Sequence, residues 1–244
     1  MKINLYRNLT LFRDLDQIVE KKHSQFSPSY RRHKGNVYFK MNHLDVILYR
    51  CEKSFKLHHE YMQEAQEKLF PYKESADPEI HQAERKFMER GDLIRRSLVI
   101  DIESYIIFTN IVLDSLIWMI SPFIQGHFTK NIPKTQSFGN FCDWVHKNQE
   151  DFNDKQFLKF MLDFRDWFQK NIRYPRNQLI VHKYGSYTQD TFTKKGIIRA
   201  KRSVSMKRTE APTGYFEFDS PIQLNKKLHE YLSEFEKMFI DKLS

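Results

Sequence analysis

Apolar residues in this chain recur three and four positions apart over long stretches. That spacing gathers them on one face of an α-helix and cannot serve a strand, whose faces alternate every second residue. Only seven glycines and eight prolines punctuate the 244 residues, too few and too unevenly placed for the turns of a sandwich or barrel. The expected fold is all-α: an up-and-down helical bundle over 76–244, preceded by a helical extension over 1–75, the two forming one compact unit. A chain of this length buries roughly 70–75% of its unfolded surface, so its core needs no disulfide or metal staple. With 21 phenylalanines, that core is expected to be rich in aromatic rings.

The pattern gives a helix near Leu5 to Lys22, a basic loop through Gly35, and a helix from Asn42 to Phe70 that Pro71 ends. Asp77 and Pro78 supply a cap and first turn for the next helix, which continues past Gly91 to Ser121, where Pro122 is expected to stop it. A loop over Phe123 to Ser137 then leads to helices at Phe138 to Asn148 and Asp154 to Ile172, with Pro175 opening another. From Tyr184 to Phe218 the helical period fails and β-favouring residues take over, which reads as a small basic hairpin or arm over 184–218. Ser220-Pro221 restarts a helix that runs to Leu243.

Composition narrows the function classes. Cys51 and Cys142 are the only cysteines, too few for a disulfide framework or a zinc site, which points to reduced thiols in a cytoplasmic protein. The charged N-terminus lacks the apolar stretch of a signal peptide. Leu98 to Gly126 is the most apolar region, but Asp101, Glu103 and Asp114 divide it into runs shorter than the roughly 20 residues of a membrane span, so a core helix and no membrane contact are expected. No metal site is expected either: His58 and His59 are adjacent and diverge on a helix, and no two histidines are four apart. No Gly-rich phosphate or dinucleotide loop is present, and no cofactor is expected.

Net charge is +9, and it is clustered. Between Lys183 and Glu210 eight cations stand against two anions, with Lys183, Lys194, Lys195, Arg199, Lys201 and Arg202 among them. A basic cluster of this kind suits a polyanionic partner such as RNA, through phosphate contacts that weaken with salt. Tyr184 and Tyr187 lie in the same stretch, where they either stack bases or pack the hairpin.

Two further patterns carry chemistry. On the apolar central helix, Arg96, Glu103, Asn110 and Asp114 fall within about 40° of one another, so this polar line faces either solvent or a polar cleft where carboxylates orient a cation. Later, Asn171-Ile172-Arg173-Tyr174-Pro175-Arg176-Asn177 opens a helix, and His182 follows Asn177 by five residues. Arginine offers a permanently charged donor fork that fits a phosphate, and histidine moves protons near neutral pH. On an ideal helix Arg176 and His182 stand about 120° and about 9 Å apart, so they converge only if Pro175 sets Arg176 in a first turn or a twofold mate completes the pocket.

The Arg176-Asn177 pair followed by His182, late in the chain and after an amphipathic helix, resembles the motif of the HEPN superfamily of helical-bundle proteins. The resemblance covers about 92–183 and the closing helix. It implies an endoribonuclease that needs no metal, acting as a homodimer with facing motifs, often as a toxin or defence effector held by an antitoxin or other regulatory protein. Arg176, Asn177 and His182 would be its catalytic residues, Glu103 or Asp114 its acidic partner, and Arg173 an auxiliary phosphate contact. The attacking group would be the RNA 2′-hydroxyl. A noncatalytic RNA- or nucleotide-binding module and a helical scaffold remain alternatives at this level.

Overall fold

The structure is a computed structural model and describes residues 11–68, 78–130, 132, 137–181, 185–187, 197–202 and 214–244. Among the described residues it is a helical bundle of six α-helices: α1 (Arg13–Lys22), α2 (Ser27–Lys68), α3 (Pro78–His127), α4 (Phe138–Lys147), α5 (Lys155–Phe168) and α6 (Pro221–Leu243). Before α6 lies a three-stranded antiparallel sheet in the order β1 (Gly185–Tyr187), β2 (Ile197–Arg202), β3 (Gly214–Asp219), where the sequence suggested a hairpin or arm.

Helices α2 and α3 pack antiparallel along most of their length. At one end of their seam Gly91 has no side chain to obstruct the Tyr61 ring; a Cβ there would stand 2.2 Å from Tyr61 Cζ. Midway, the buried Asp101 carboxylate meets the Arg50 guanidinium at 2.8 Å and accepts a hydrogen bond from the Ser54 hydroxyl at 3.3 Å. Helix α3 is long and apolar enough to cross a membrane by length and composition, but half of its most apolar window is buried inside the bundle. Leu98, Ile102, Tyr105, Ile106, Val112 and Leu116 form its core face.

The aromatic core lies where α5 meets α6. Phe157 packs on Phe128, Phe235 and Phe239, and the Phe164 and Tyr231 rings stack at 4.3 Å. Leu15 and Val19 of α1 and Val37, Met41, Leu44 and Leu48 of α2 belong to the same buried cluster.

Three boundaries differ from the sequence reading. The expected loop through Gly35 is a short 3₁₀ turn at Ser24–Phe26 followed directly by α2, so Gly35 lies inside a helix. Buried Tyr30, Val37 and Met41 recur on one face and pull this segment into the helix, outweighing the roughly 1 kcal/mol penalty of an internal glycine. Pro122 does not end α3, which continues until Gln125 and Gly126 leave helical geometry, Gly126 at φ 85°, a left-handed value that suits glycine.

The third difference concerns the motif segment. Helix α5 neither stops at Ile172 nor restarts at Pro175. It widens into a π-helical turn at Gln169–Arg173, passes through Tyr174 and Pro175, and continues as a second π-helical turn over Arg176–Val181. Proline lacks an N–H and crowds the carbonyl four residues back, and the looser π winding accommodates both problems without ending the rod. The Arg-Asn pair therefore sits within a helical run and does not open one.

Candidate functional site

A polar pocket of about 340 Å³ lies between α3, the N-terminus of α4 and the π-helical turns. Its wall includes Asn110 and Asp114 from α3, Ser137, Gly139 and Asn140 at the start of α4, and Arg173, Arg176 and Asn177 from the π-helical rod.

Each wall is held by its own chemistry. The Ser137 hydroxyl caps α4 by accepting the Asn140 N–H at 3.2 Å. Asp114 reaches the same helix end: its Oδ1 accepts the Phe138 N–H at 2.8 Å, and its Oδ2 accepts from Asn110 Nδ2, one turn earlier on α3, at 2.9 Å. A carboxylate at a helix N-terminus is favourably placed against the helix dipole. Burial pushes the Asp114 carboxyl above its usual range, opposed by the Phe138 N–H, the nearby Arg176 charge and the Asn110 amide. Arg176 thus faces a carboxylate whose two oxygens already hold other donors.

Arg173 is fixed differently. Its guanidinium binds Asp143 Oδ2 at 2.8 Å, and the other Asp143 oxygen accepts from Gln169 Nε2 at 3.3 Å. The π-helical rod is also tied to the sheet: the buried Asn171 amide donates to the Trp167 carbonyl at 3.1 Å, and its oxygen accepts the Asp219 N–H at 2.8 Å. Tyr174 packs edge-on against Phe216 of β3, with ring centroids 5.1 Å apart. Two guanidiniums and the positive end of α4 on one concave surface make a setting for an anion.

The structure brings Asn110, Asp114, Arg173, Arg176 and Asn177 together and leaves Arg96 and Glu103 outside the pocket wall. Arg96 shares their angular position on α3 but lies about 21 Å before Asn110 along the axis, exposed to solvent. Glu103 is half-buried near Tyr187 of β1, whose phenol is raised first by its own burial and further by the Glu103 charge. Tyr187 packs against the core, which favours the packing role over base stacking. Arg199 on β2 stands opposite Glu217 on β3, Nε to Oε1 at 3.9 Å. The backbones of Lys201 and Arg202 lie in β2 opposite Tyr215 and Gly214, and their side chains are outside the described residues. His182, Lys183, Tyr184, Lys194 and Lys195 lie outside the described residues, as do Pro71 and Asp77; His182 follows immediately after Val181, the end of the second π-helical turn.

Sequence reasoning did not find Ser137, Gly139, Asn140 or Asp143. The serine ahead of an apolar helical run was a readable cap signal. The Asp143–Arg173 pairing has no local signature, since it joins two helices. Among the described residues, no group of three His, Cys, Asp or Glu side chains is arranged to hold a metal ion. No family model, curated protein or solved structure matches the chain.

Proposed function

We propose that the chain is a metal-independent endoribonuclease of HEPN type, with this pocket as its phosphate site. The observation that supports it most is the convergence of Arg176 and Asn177 with Asn110, Asp114 and Arg173 on one cavity, from segments far apart in sequence.

In the reaction the ribose 2′-oxygen attacks the neighbouring phosphorus. The 2′-O–P bond forms, the P–O5′ bond breaks, and the products carry a 2′,3′-cyclic phosphate and a 5′-hydroxyl. One proton leaves the 2′-hydroxyl and one arrives on O5′; His182 moves protons here, as a side chain of the type that serves most often as general acid and base. Arg176 stabilises the charge that grows on the phosphate oxygens. Asp114 acts through Arg176 as a positioning residue, Asn177 binds a further oxygen or orients His182, and Arg173 supports the phosphate from its anchor on Asp143. The basic residues that follow the motif hold the strand. A homodimer with facing pockets, a toxin or defence role and a neutralising partner protein belong to the same proposal.

The test is to incubate the protein with end-labelled RNA and DNA of matched sequence in EDTA. New RNA ends with intact DNA are expected, because DNA lacks the attacking hydroxyl. RNA retained without new ends would replace the nuclease by a binding module, and neither binding nor cleavage would reject an RNA role.

A further inference from the structure

The α2–α3 hairpin exposes an apolar face beside the polar pocket. On α3, Leu93, Ile100 and Ile107 repeat every seventh residue and Trp118 continues the line; all four fall within about 40° on the helix, over about 38 Å of its length. Leu93 is 66% exposed and Ile100 57%. On α2, Phe39, Val46 and Leu57 fall within about 20° of one another, with Phe39 58% exposed. In both helices the stripe is offset from the α2–α3 contact in the same rotational sense. For antiparallel helices this puts the two stripes on one side. Ring contacts agree: His43 packs on Phe39 at 4.3 Å and on Phe108, beside Ile107, at 5.3 Å.

Scattered apolar side chains on a surface need no explanation, but two aligned stripes framing a groove do. A seven-residue repeat along a groove between two helices is the geometry that receives the ridge of a third. The charges beside it choose the partner. Arg32, Arg50 and Lys53 on α2 and Arg96 on α3 stand exposed along the stripes, whereas Glu103 and Asp114, on the same line of α3 as Arg96, are half-buried, Glu103 near Tyr187 and Asp114 under the Phe138 N–H and the Asn110 amide. Arg50 keeps 59% of its side chain in solvent even while paired with Asp101. Toward the far end of the hairpin, Glu60 is matched by Lys56, Glu64 by Lys68 and Arg90, and Glu89 by Arg85. A second copy docking here would oppose cations to cations. A bilayer surface selects a broad apolar face over a narrow heptad line.

We propose that this groove binds an amphipathic helix from another protein, its apolar stripe packed on Leu93, Ile100 and Ile107 and its flanks carrying Asp or Glu opposite Arg50, Lys53 and Arg96. The test presents the full chain to a displayed library of helical peptides with apolar residues at heptad positions and Glu, Ser or Lys varied at the flanks. Selection is expected to enrich Glu over Lys about tenfold, to weaken with salt, and to be lost when Ile100→Asp and Ile107→Asp are combined. Both positions are exposed, so the variant should keep its helical circular dichroism; Ile222→Asp on α6 serves as a control that leaves binding unchanged. No enrichment, or enrichment of Ser or Lys flanks, overturns the proposal. So does self-association by sedimentation, or binding to anionic phospholipid vesicles, that the paired variant abolishes; the first would assign the face to a second copy and the second to a membrane.

Discussion

Asp101 and Asp114 lie on the same helix and are both driven upward in pKa by burial, yet their surroundings give them different work. Asp101 is sealed in the seam between α2 and α3, where Arg50 and Ser54 close on it directly. Asp114 stands at the rim of an open pocket, with a backbone N–H and an amide on its oxygens and Arg176 facing it. The seam uses a charge to join two helices. The pocket uses one to arrange donors around a space. Burial alone therefore does not mark a functional carboxylate; what matters is whether the groups around it close a contact or frame a cavity.

The largest separation between the two regions is expected from Arg176→Ala. It should reduce RNA cleavage about 10²–10³-fold, the range for removing one transition-state donor, while leaving the melting temperature nearly unchanged. Unaltered cleavage would remove the pocket from the chemistry. In the seam, Gly91→Ala should do the reverse. A methyl group 2.2 Å from Tyr61 Cζ must displace the ring from its stack on Phe87 or spread the two helices, so a loss of about 1–3 kcal/mol by denaturant titration is expected even after alanine's better helix propensity is counted.

Asp114→Asn should sharpen the contrast from the pocket side. Loss of the charge that positions Arg176 is expected to lower kcat about tenfold without raising KM, since one negative charge near the phosphate is gone. Its stability profile has a definite sign. A carboxyl whose folded pKa is raised binds its proton more tightly in the folded state. Its ionisation therefore subtracts stability as pH rises from the unfolded value of about 4 through the folded pKa. The variant should gain on the wild type in melting temperature over that interval; parallel profiles would show that the charge carries no burial penalty. The smallest effect belongs to Gly35 in α2, where a new Cβ meets nothing within 4 Å. Gly35→Ala should stabilise by about 0.4–1 kcal/mol, opposite in sign to the same substitution at Gly91.

The sequence was most legible where a single period governed it. The bundle and the closing helix follow from spacing, the β-structure before α6 follows from the failure of that spacing and from β-favouring residues, and Ser220-Pro221 marks the start of α6. Asn110 and Asp114 were legible as neighbours on a polar line, but a helical wheel gives angle and not axial distance. Arg96 and Glu103 shared the angle and lie too far along α3 to reach the pocket. Gly35 and Pro122 misled because local breakers yield to tertiary burial on both sides of them. The π winding around Pro175 was not legible at all: it reflects a compromise between a missing N–H and a rod held by its core contacts and by the Asn171 side chain bonded to Asp219 of β3.

The central claim is tested most directly by the chemistry of the ends that the protein leaves on RNA in EDTA. Mass analysis of the fragments should find 2′,3′-cyclic phosphate paired with 5′-hydroxyl for the wild type, and uncut RNA for His182→Ala at equal helical content. Fragments from wild type and variant alike, or ends bearing 5′-phosphate, would contradict the account.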